Sequence, residues 1–326
     1  MGPDLVIDPD ADTATEILAM MNLAGADEVY PMVGGHLTVL GTVIRADSPL
    51  AGRSLSEIGT SFEPRWNFLF GVITRGGRSV IPRGDEVLEI GDHVRVLTTQ
   101  HAQRETLSLL GTSTRRVRRL MVLGGGAVGS QVAAEMSRRH AEVVLVERDQ
   151  TRAEQLASEL PKVRVIQGDI ADIDLLRSES VATTDAVVAA TGEDTSNVLA
   201  CAFAAAEGEA FTVAVVHRLE LLPMIGRFGI DAALSPRTAS ANAVLQQLRG
   251  GGGAVATFLE SDVEVNEFVV QAGSPAGLTE EEYSILSEIA PTVAQSADHD
   301  NYLAPWQVMA TTIGEAVGKE TEVAYL

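Results

Sequence analysis

At 326 residues the chain exceeds what one compact core accommodates and is read as two or three domains. A net charge of −21 argues against nucleic acid, whose phosphates need clustered Lys and Arg, and equally against adsorption to anionic lipid. Apolar residues at 45% with aromatics at 4% point to aliphatic cores of Val, Leu, Ile and Ala.

The chain opens Met1-Gly2-Pro3-Asp4, without the charged-then-apolar layout of a secretory signal. Residues 2–18 read as a short apolar strand, a proline stop and an Ala-rich helix, and the pattern returns at residues 229–245. At this offset of 227 residues, Gly2, Asp4, Pro9, Ala14 and Leu18 fall on Gly229, Asp231, Pro236, Ala241 and Leu245. A second echo pairs Ser48-Pro49-Leu50-Ala51-Gly52 with Ser274-Pro275-Ala276-Gly277. Together they indicate a duplicated two-domain unit. Because one residue precedes the first copy, residues 1–27 are expected to be the remnant of a first nucleotide-binding domain.

Residues 28–112 read as a small α+β domain. Apolar, β-branched stretches at 38–44, 68–74 and 93–97 are separated by turn residues, with Gly76-Gly77 placed for a hairpin. Residues 101–111 read as a helix ending in glycine, and the polar, basic stretch 112–119 marks a domain boundary. From Leu120 the pattern alternates. Strands are expected at 120–123, 143–146, 164–167, 186–190, 212–216 and 232–235, with helices at 129–139, 150–159, 173–179, 195–207 and 219–228. Short apolar strands without polar alternation predict a parallel sheet covered on both faces, a doubly wound α/β fold over residues 117–249.

The fingerprint lies at the first strand–helix junction: Gly124-Gly125-Gly126-Ala127-Val128-Gly129. Gly124 allows a tight turn, Gly126 lets a pyrophosphate approach the backbone, and Gly129 lets the helix pack on the sheet. Amides at the helix start, with the helix dipole, then face an anion. Glu147 ends the second strand, 23 residues after Gly124, where a carboxylate takes ribose hydroxyls and repels a 2′-phosphate. NADP is thereby disfavoured, though Arg148 keeps it open; NAD, NADH, ATP and ADP share the adenosine ribose and stay undivided. Asp169 and Ile170 follow the third strand, at the adenine edge, and Thr191 and Gly192 follow the fourth, near phosphates or a second ribose. Asp194 or Thr195 would cap the next helix. Arg218, after the fifth strand, is either a phosphate-binding cation or a surface ion-pair partner.

Other chemistry is missing. Cys201, the single cysteine, lies among apolar helix residues and reads as buried rather than nucleophilic. The six histidines do not cluster, and neither metal-ligand spacing, GxSxG nor a P-loop GK[ST] occurs. The longest apolar run, 198–206, is about half a membrane span and is cut by Glu207. Gly250-Gly251-Gly252-Gly253 reads as a hinge more than a phosphate loop, since no strand feeds it. Residues 254–326 show a strand-like stretch at 263–270 and acidic helices beyond.

These residues resemble a known family. VLGGGAVGSQVA at 122–133, VLVERD at 144–149, QGD, AATGEDTSN and IDAALSP are similar to the RCK, or KTN, nucleotide-binding domain. SPLAGRSLSEI, VITRGG, VIPRGDEVLEIGD and VRVL, between residues 48 and 97, resemble the small RCK C-terminal domain, the TrkA-C domain. Residues 254–326, which lose the IPxGD signature, would be a divergent second copy of it. The resemblance implies a Rossmann-like sheet with small α+β domains and no catalysis. It implies a cytoplasmic regulator of Trk-type potassium uptake, docked peripherally on a membrane potassium-translocating subunit of Trk or Ktr type. It further implies homo-oligomers, as dimer or ring, and NAD(H) or ATP/ADP as regulatory ligand. The family's binding positions fall on Gly124 to Gly129, Glu147, Asp169, Thr191 with Gly192, and Arg218. The rival readings are an NAD-dependent oxidoreductase and an RCK-type regulator of another cation transporter.

Overall fold

The computed structural model describes residues 7–32, 35–62, 67–112, 116–248, 255–257 and 264–266. The chain divides into two compact units, Met1–Asp27 with Thr114–Leu248 and Glu28–Ser113 with Arg249–Leu326.

The first element is helix α1 (Pro9–Asn22), begun by Asp8, whose carboxylate accepts the amides of Asp10 and Ala11. The unit beginning at Glu28 holds β1 (Glu28–Met32), β2 (Leu37–Val43), helix α2 (Leu55–Phe62), β3 (Phe68–Arg75), β4 (Arg78–Val80), β5 (His93–Thr99) and helix α3 (Gln103–Leu109). Its five strands form an antiparallel sheet in the order β1-β2-β5-β3-β4. Pro31, which has no amide to donate, sits on the edge strand β1. Gly76 and Gly77 turn the β3–β4 hairpin with φ of +58° and +78°, a conformation that favours glycine twice over. The segment around Pro82 to Asp92 folds back on residues 52–56: Gly52 N–H donates to Leu88 O at 2.7 Å, and Ser56 N–H to Gly84 O at 2.8 Å. Asp92, 1% exposed, receives both Nε and Nη2 of Arg75 at 2.7 and 2.8 Å, which satisfies a buried charge. Ile44, Leu50, Ile73, Leu88 and Val96 form the core beneath.

The other unit is the nucleotide-fold half. Strands β6 (Arg119–Leu123), β7 (Glu142–Glu147), β8 (Arg164–Gln167), β9 (Ala186–Ala189), β10 (Phe211–Val215) and β11 (Ala232–Leu234) alternate with helices α4 (Ala127–Arg138), α5 (Gln150–Glu159), α6 (Ile173–Ser178) and α7 (Asp194–Glu207). Helix α8 (Pro236–Leu248) follows; strands β12 (Val255–Thr257) and β13 (Glu264–Asn266), which belong to the unit beginning at Glu28, pair antiparallel to each other. All six strands of the large sheet run parallel in the order β11-β10-β9-β6-β7-β8. Leu120, Met121, Val122 and Leu123 are each 1% exposed or less, as strands covered on both faces must be. The sheet is therefore doubly wound and Rossmann-like. The order in which strands join the sheet reverses between β6 and β9, and a crevice opens at such a point beyond the strands' carboxyl ends.

Two expectations are corrected. Residues 219–228 form a 3₁₀ run rather than an α-helix; Pro223 and Gly226 within it weaken the i to i−4 ladder. Helix α4 begins at Ala127, two residues before the expected start, which moves Ala127 and Val128 from the loop into the first helical turn. Helix α1 packs on α4 and α8, burying Ile17, Met20 and Met21. The quadruple glycine at 250–253, the echo at 274–277 and the acidic helices expected toward the C-terminus lie outside the described residues.

Candidate nucleotide-binding site

The glycine loop leaves β6 with Gly124 at φ +107° and Gly126 as the N-cap of α4. The first intrahelical partner is Ser130 N–H to Gly126 O at 3.0 Å. Helix geometry therefore leaves the amides of Ala127, Val128 and Gly129 without an intrahelical acceptor, directed along the axis toward any anion at the helix start.

The glycines are needed for separate reasons. A Cβ on Gly129 would run into the carbonyl oxygen of Gly124, so this glycine serves the turn itself. A Cβ on Gly124 would meet Thr191 Cγ2 at 2.8 Å and Ala190 O at 2.9 Å, which shows how tightly the loop abuts the end of β9. Gly125 backs onto Leu156 and onto Glu147 Oε2. At Gly126 a Cβ would meet only Ala190 O, 3.9 Å away. The fold itself leaves room for a side chain at that position.

Glu147 closes β7 and is tied to the loop. Its Oε2 accepts the Gly125 amide at 2.8 Å and its Oε1 the Asp149 amide at 2.8 Å. Two backbone donors fix the carboxylate beside the loop, and each oxygen keeps a further lone pair. Arg152 on α5 adds a third tie, donating from Nε to Gly125 O at 3.2 Å. Sequence reading missed Arg152. Its spacing from the loop carries no signal, since the contact exists only once α5 is docked.

Beyond β8, Asp169 is drawn into a turn, its Oδ1 accepting the Ala171 amide at 2.9 Å. Ile170 is 6% exposed within the apolar core, so any ligand contact there comes through its main chain. Beyond β9, Asn197 grips Thr191: its Oδ1 accepts the Thr191 amide at 3.1 Å and hydroxyl at 2.6 Å, and its Nδ2 donates to Thr191 O at 2.9 Å. Gly192 faces open space. Asp194 does not cap α7 as expected. The N-cap is Glu193, and the Asp194 carboxylate reaches instead to the end of β10, accepting the amides of His217 and Arg218 at 2.9 Å each. Burial would raise its pKa, but the hydrogen bonds from His217 and Arg218 outweigh that and hold it at about 2.

Arg218 is the ion-pair partner that its position allowed. Its Nε lies 3.3 Å from Asp194 Oδ2, yet its side chain is 60% exposed and retains donors. Arg148 pairs with Glu193 at 3.5 Å, both well exposed. Cys201 is fully buried, 3.4 Å from Val213 O, and burial pushes its thiol up to about 12, so it has no nucleophilic form at neutral pH. The structure thus gathers the glycine loop, Glu147, Asp169, Thr191, Gly192 and Arg218 at the carboxyl ends of five adjacent strands. No helix among the described residues is long and apolar enough to cross a membrane.

A TrkA-N domain matches residues 120–236 and a TrkA-C domain matches residues 39–111. A Trk system potassium uptake protein TrkA homolog of Archaeoglobus fulgidus is 30% identical over 249 residues, covering 76% of this chain and 56% of the homolog. The Trk system potassium uptake protein TrkA of Vibrio alginolyticus is 28% identical over 246 residues, covering 76% of this chain and 53% of its own length. The chain thus spans little more than half the length of these relatives. Among solved structures, the GsuK RCK domain superposes with a TM-score of 0.54 at 18% identity, over 78% of this chain and 56% of that one. The GsuK channel bound to NAD gives 0.51 at 17% identity, over 76% of this chain and 45% of that one. At those identities the likeness concerns the fold.

Proposed function

We propose that the chain, which carries a TrkA-N and a TrkA-C domain, is a nucleotide-sensing regulatory subunit of a Trk-type potassium uptake system. The observation that carries the reading is the Glu147–Gly125 hydrogen bond beside an open helix start. It holds a ribose-binding carboxylate and a phosphate-binding turn in one rigid piece. Gly124 to Gly129 would take the phosphates, Glu147 the adenosine ribose, Asp169 and the Ile170 main chain the adenine edge, and Thr191, Gly192 and Arg218 the farther half. The ligand would be NAD(H) or ATP/ADP. It would bias a homo-oligomer, dimer or ring, that docks from the cytoplasmic side on a membrane potassium-translocating subunit. The ligand can do so only by binding one conformation of that assembly more tightly than another.

Calorimetric titration with NADH, NAD, ATP and ADP tests this. Wild-type protein is expected to bind at least one of them, and Glu147→Ala to weaken that binding by about ten-fold or more, since a charge-assisted hydrogen bond is worth about 1.5–3 kcal/mol. Heat from none of the four would end the nucleotide reading.

One contact favours a second reading, an NAD-dependent oxidoreductase. His217 Nδ1 lies 3.0 Å from Asp194 Oδ1, a pairing that also orients general bases. Oxidation of NADH on addition of candidate carbonyl substrates would support it and displace the regulatory one. Recovery of a different cation transporter on the protein from solubilised membranes would keep the sensor and change its partner.

A further inference from the structure

Thr191-Gly192 and Arg218 belong to two different loops, yet one short stretch of α7 fixes both. Asp194 and Asn197 lie three residues apart and so share a helix face at its first turn. Asn197 is fully buried and, besides its three bonds to Thr191, donates from Nδ2 to Val215 O at 2.8 Å. The Asp194 side chain is 7% exposed and receives the amides of His217 and Arg218, His217 Nδ1 at 3.0 Å and Arg218 Nε at 3.3 Å. Apolar residues would pack this face without the cost of burying polar groups. What the two polar side chains add is directional control, exerted only on the loops that leave β9 and β10.

We propose that Asp194 and Asn197 are positioning residues for the half of the nucleotide site beyond the glycine loop, and that Asp194 aims the Arg218 guanidinium at the second phosphate or second ribose of a dinucleotide. The inference rests on the nucleotide-binding reading above. Glu147 and the glycine loop serve the adenosine and first phosphate from the β7 side. Asp194, Asn197 and Arg218 serve what extends past them, on the β9 and β10 side. Ligands that share an adenosine monophosphate and differ beyond it therefore separate the two halves.

The test is titration of the full chain with AMP and with NADH. Asp194→Asn, which keeps the size and one acceptor oxygen, is expected to weaken NADH about ten-fold while changing AMP less than about two-fold. Arg218→Ala is expected to show the same selectivity, and the double variant to lose no more than the larger single loss, because one residue acts through the other. Should Asp194→Asn fail to fold, Arg218→Lys reads the same contact from its exposed side. It keeps the charge but lacks the Nε–H that Asp194 receives, and the NADH-selective loss is again expected. Equal weakening of both ligands, additive losses, or Arg218→Lys binding NADH like wild type would overturn the inference alone. Wild-type protein that binds ATP or ADP but neither of these ligands would also overturn the inference alone; heat from none of these nucleotides would overturn the nucleotide reading and this inference with it.

Discussion

Side chains added at Gly126 and Gly129 test opposite properties of one loop. Gly129→Ala forces its Cβ onto the Gly124 carbonyl and is expected to cost about 2 kcal/mol or more of stability in thermal or urea unfolding. Gly126→Ala has room in the protein by itself and a φ of −66° that alanine adopts freely. It is expected to melt as wild type does and yet to lose nucleotide affinity, because its methyl stands where a phosphate would approach. A Gly126→Ala variant that binds normally would show that the ligand does not lie along this loop. Glu16 gives a second test at this scale. Burial, with Asp12 nearby adding repulsion, raises its pKa to about 7. For a carboxyl raised above its unfolded value of 4.5, the favourable contribution is full below pH 4.5 and is lost as pH rises through about 7. Glu16→Gln is therefore expected to stabilise the protein by about 1–3 kcal/mol at pH 8 and to be neutral at pH 4, read from denaturant midpoints at the two pH values.

At the scale of elements, α1 is remote in sequence from the two helices it packs on. Ile17 is fully buried where α1 meets α4 and α8, so Ile17→Ala is expected to cost about 2–4 kcal/mol. The loss should fall in the same melting transition that nucleotide raises, since α1 and the glycine-loop helix share one unit. An unchanged transition would make α1 an appendage. What sequence reading delivered divides along physical lines. Strands β6, β7, β9 and β10 were legible because burial on both faces leaves no polar alternation. The Gly76-Gly77 hairpin was legible because positive φ at two successive positions selects glycine. Helices α1 and α8 begin at Pro9 and Pro236, the prolines that the internal echo pairs. Helix α2, strand β1 and the 3₁₀ character of residues 219–228 were not read: α2 has eight residues, β1 five, and Pro223 was overlooked. The site divides the same way. The glycine loop and Glu147 carry local spacing, whereas Arg152, Asp194 and Asn197 act on partners that only docking of helix on sheet brings near.

Over the whole molecule, a net charge of −21 means that the folded chain works against its own repulsion. Raising NaCl from about 10 to about 200 mM is expected to increase the melting temperature by a few degrees as the screening length shortens. A flat or falling curve would mean that local ion pairs such as Arg177–Glu207 and Arg95–Glu28 outweigh the long-range term. The strand order carries one more consequence, which concerns the chain as it is made. Strands β6, β7 and β8 are adjacent in space and consecutive in sequence, so that half of the sheet can assemble while β9 to β11 are still being synthesised. The crevice comes into being only when β9 inserts on the other side of β6. Before that moment a nucleotide of the kind proposed would meet only the glycine loop and Glu147. A ligand that spans both halves would act as a late inspector, favouring chains whose sheet has closed across its middle over those that stopped halfway.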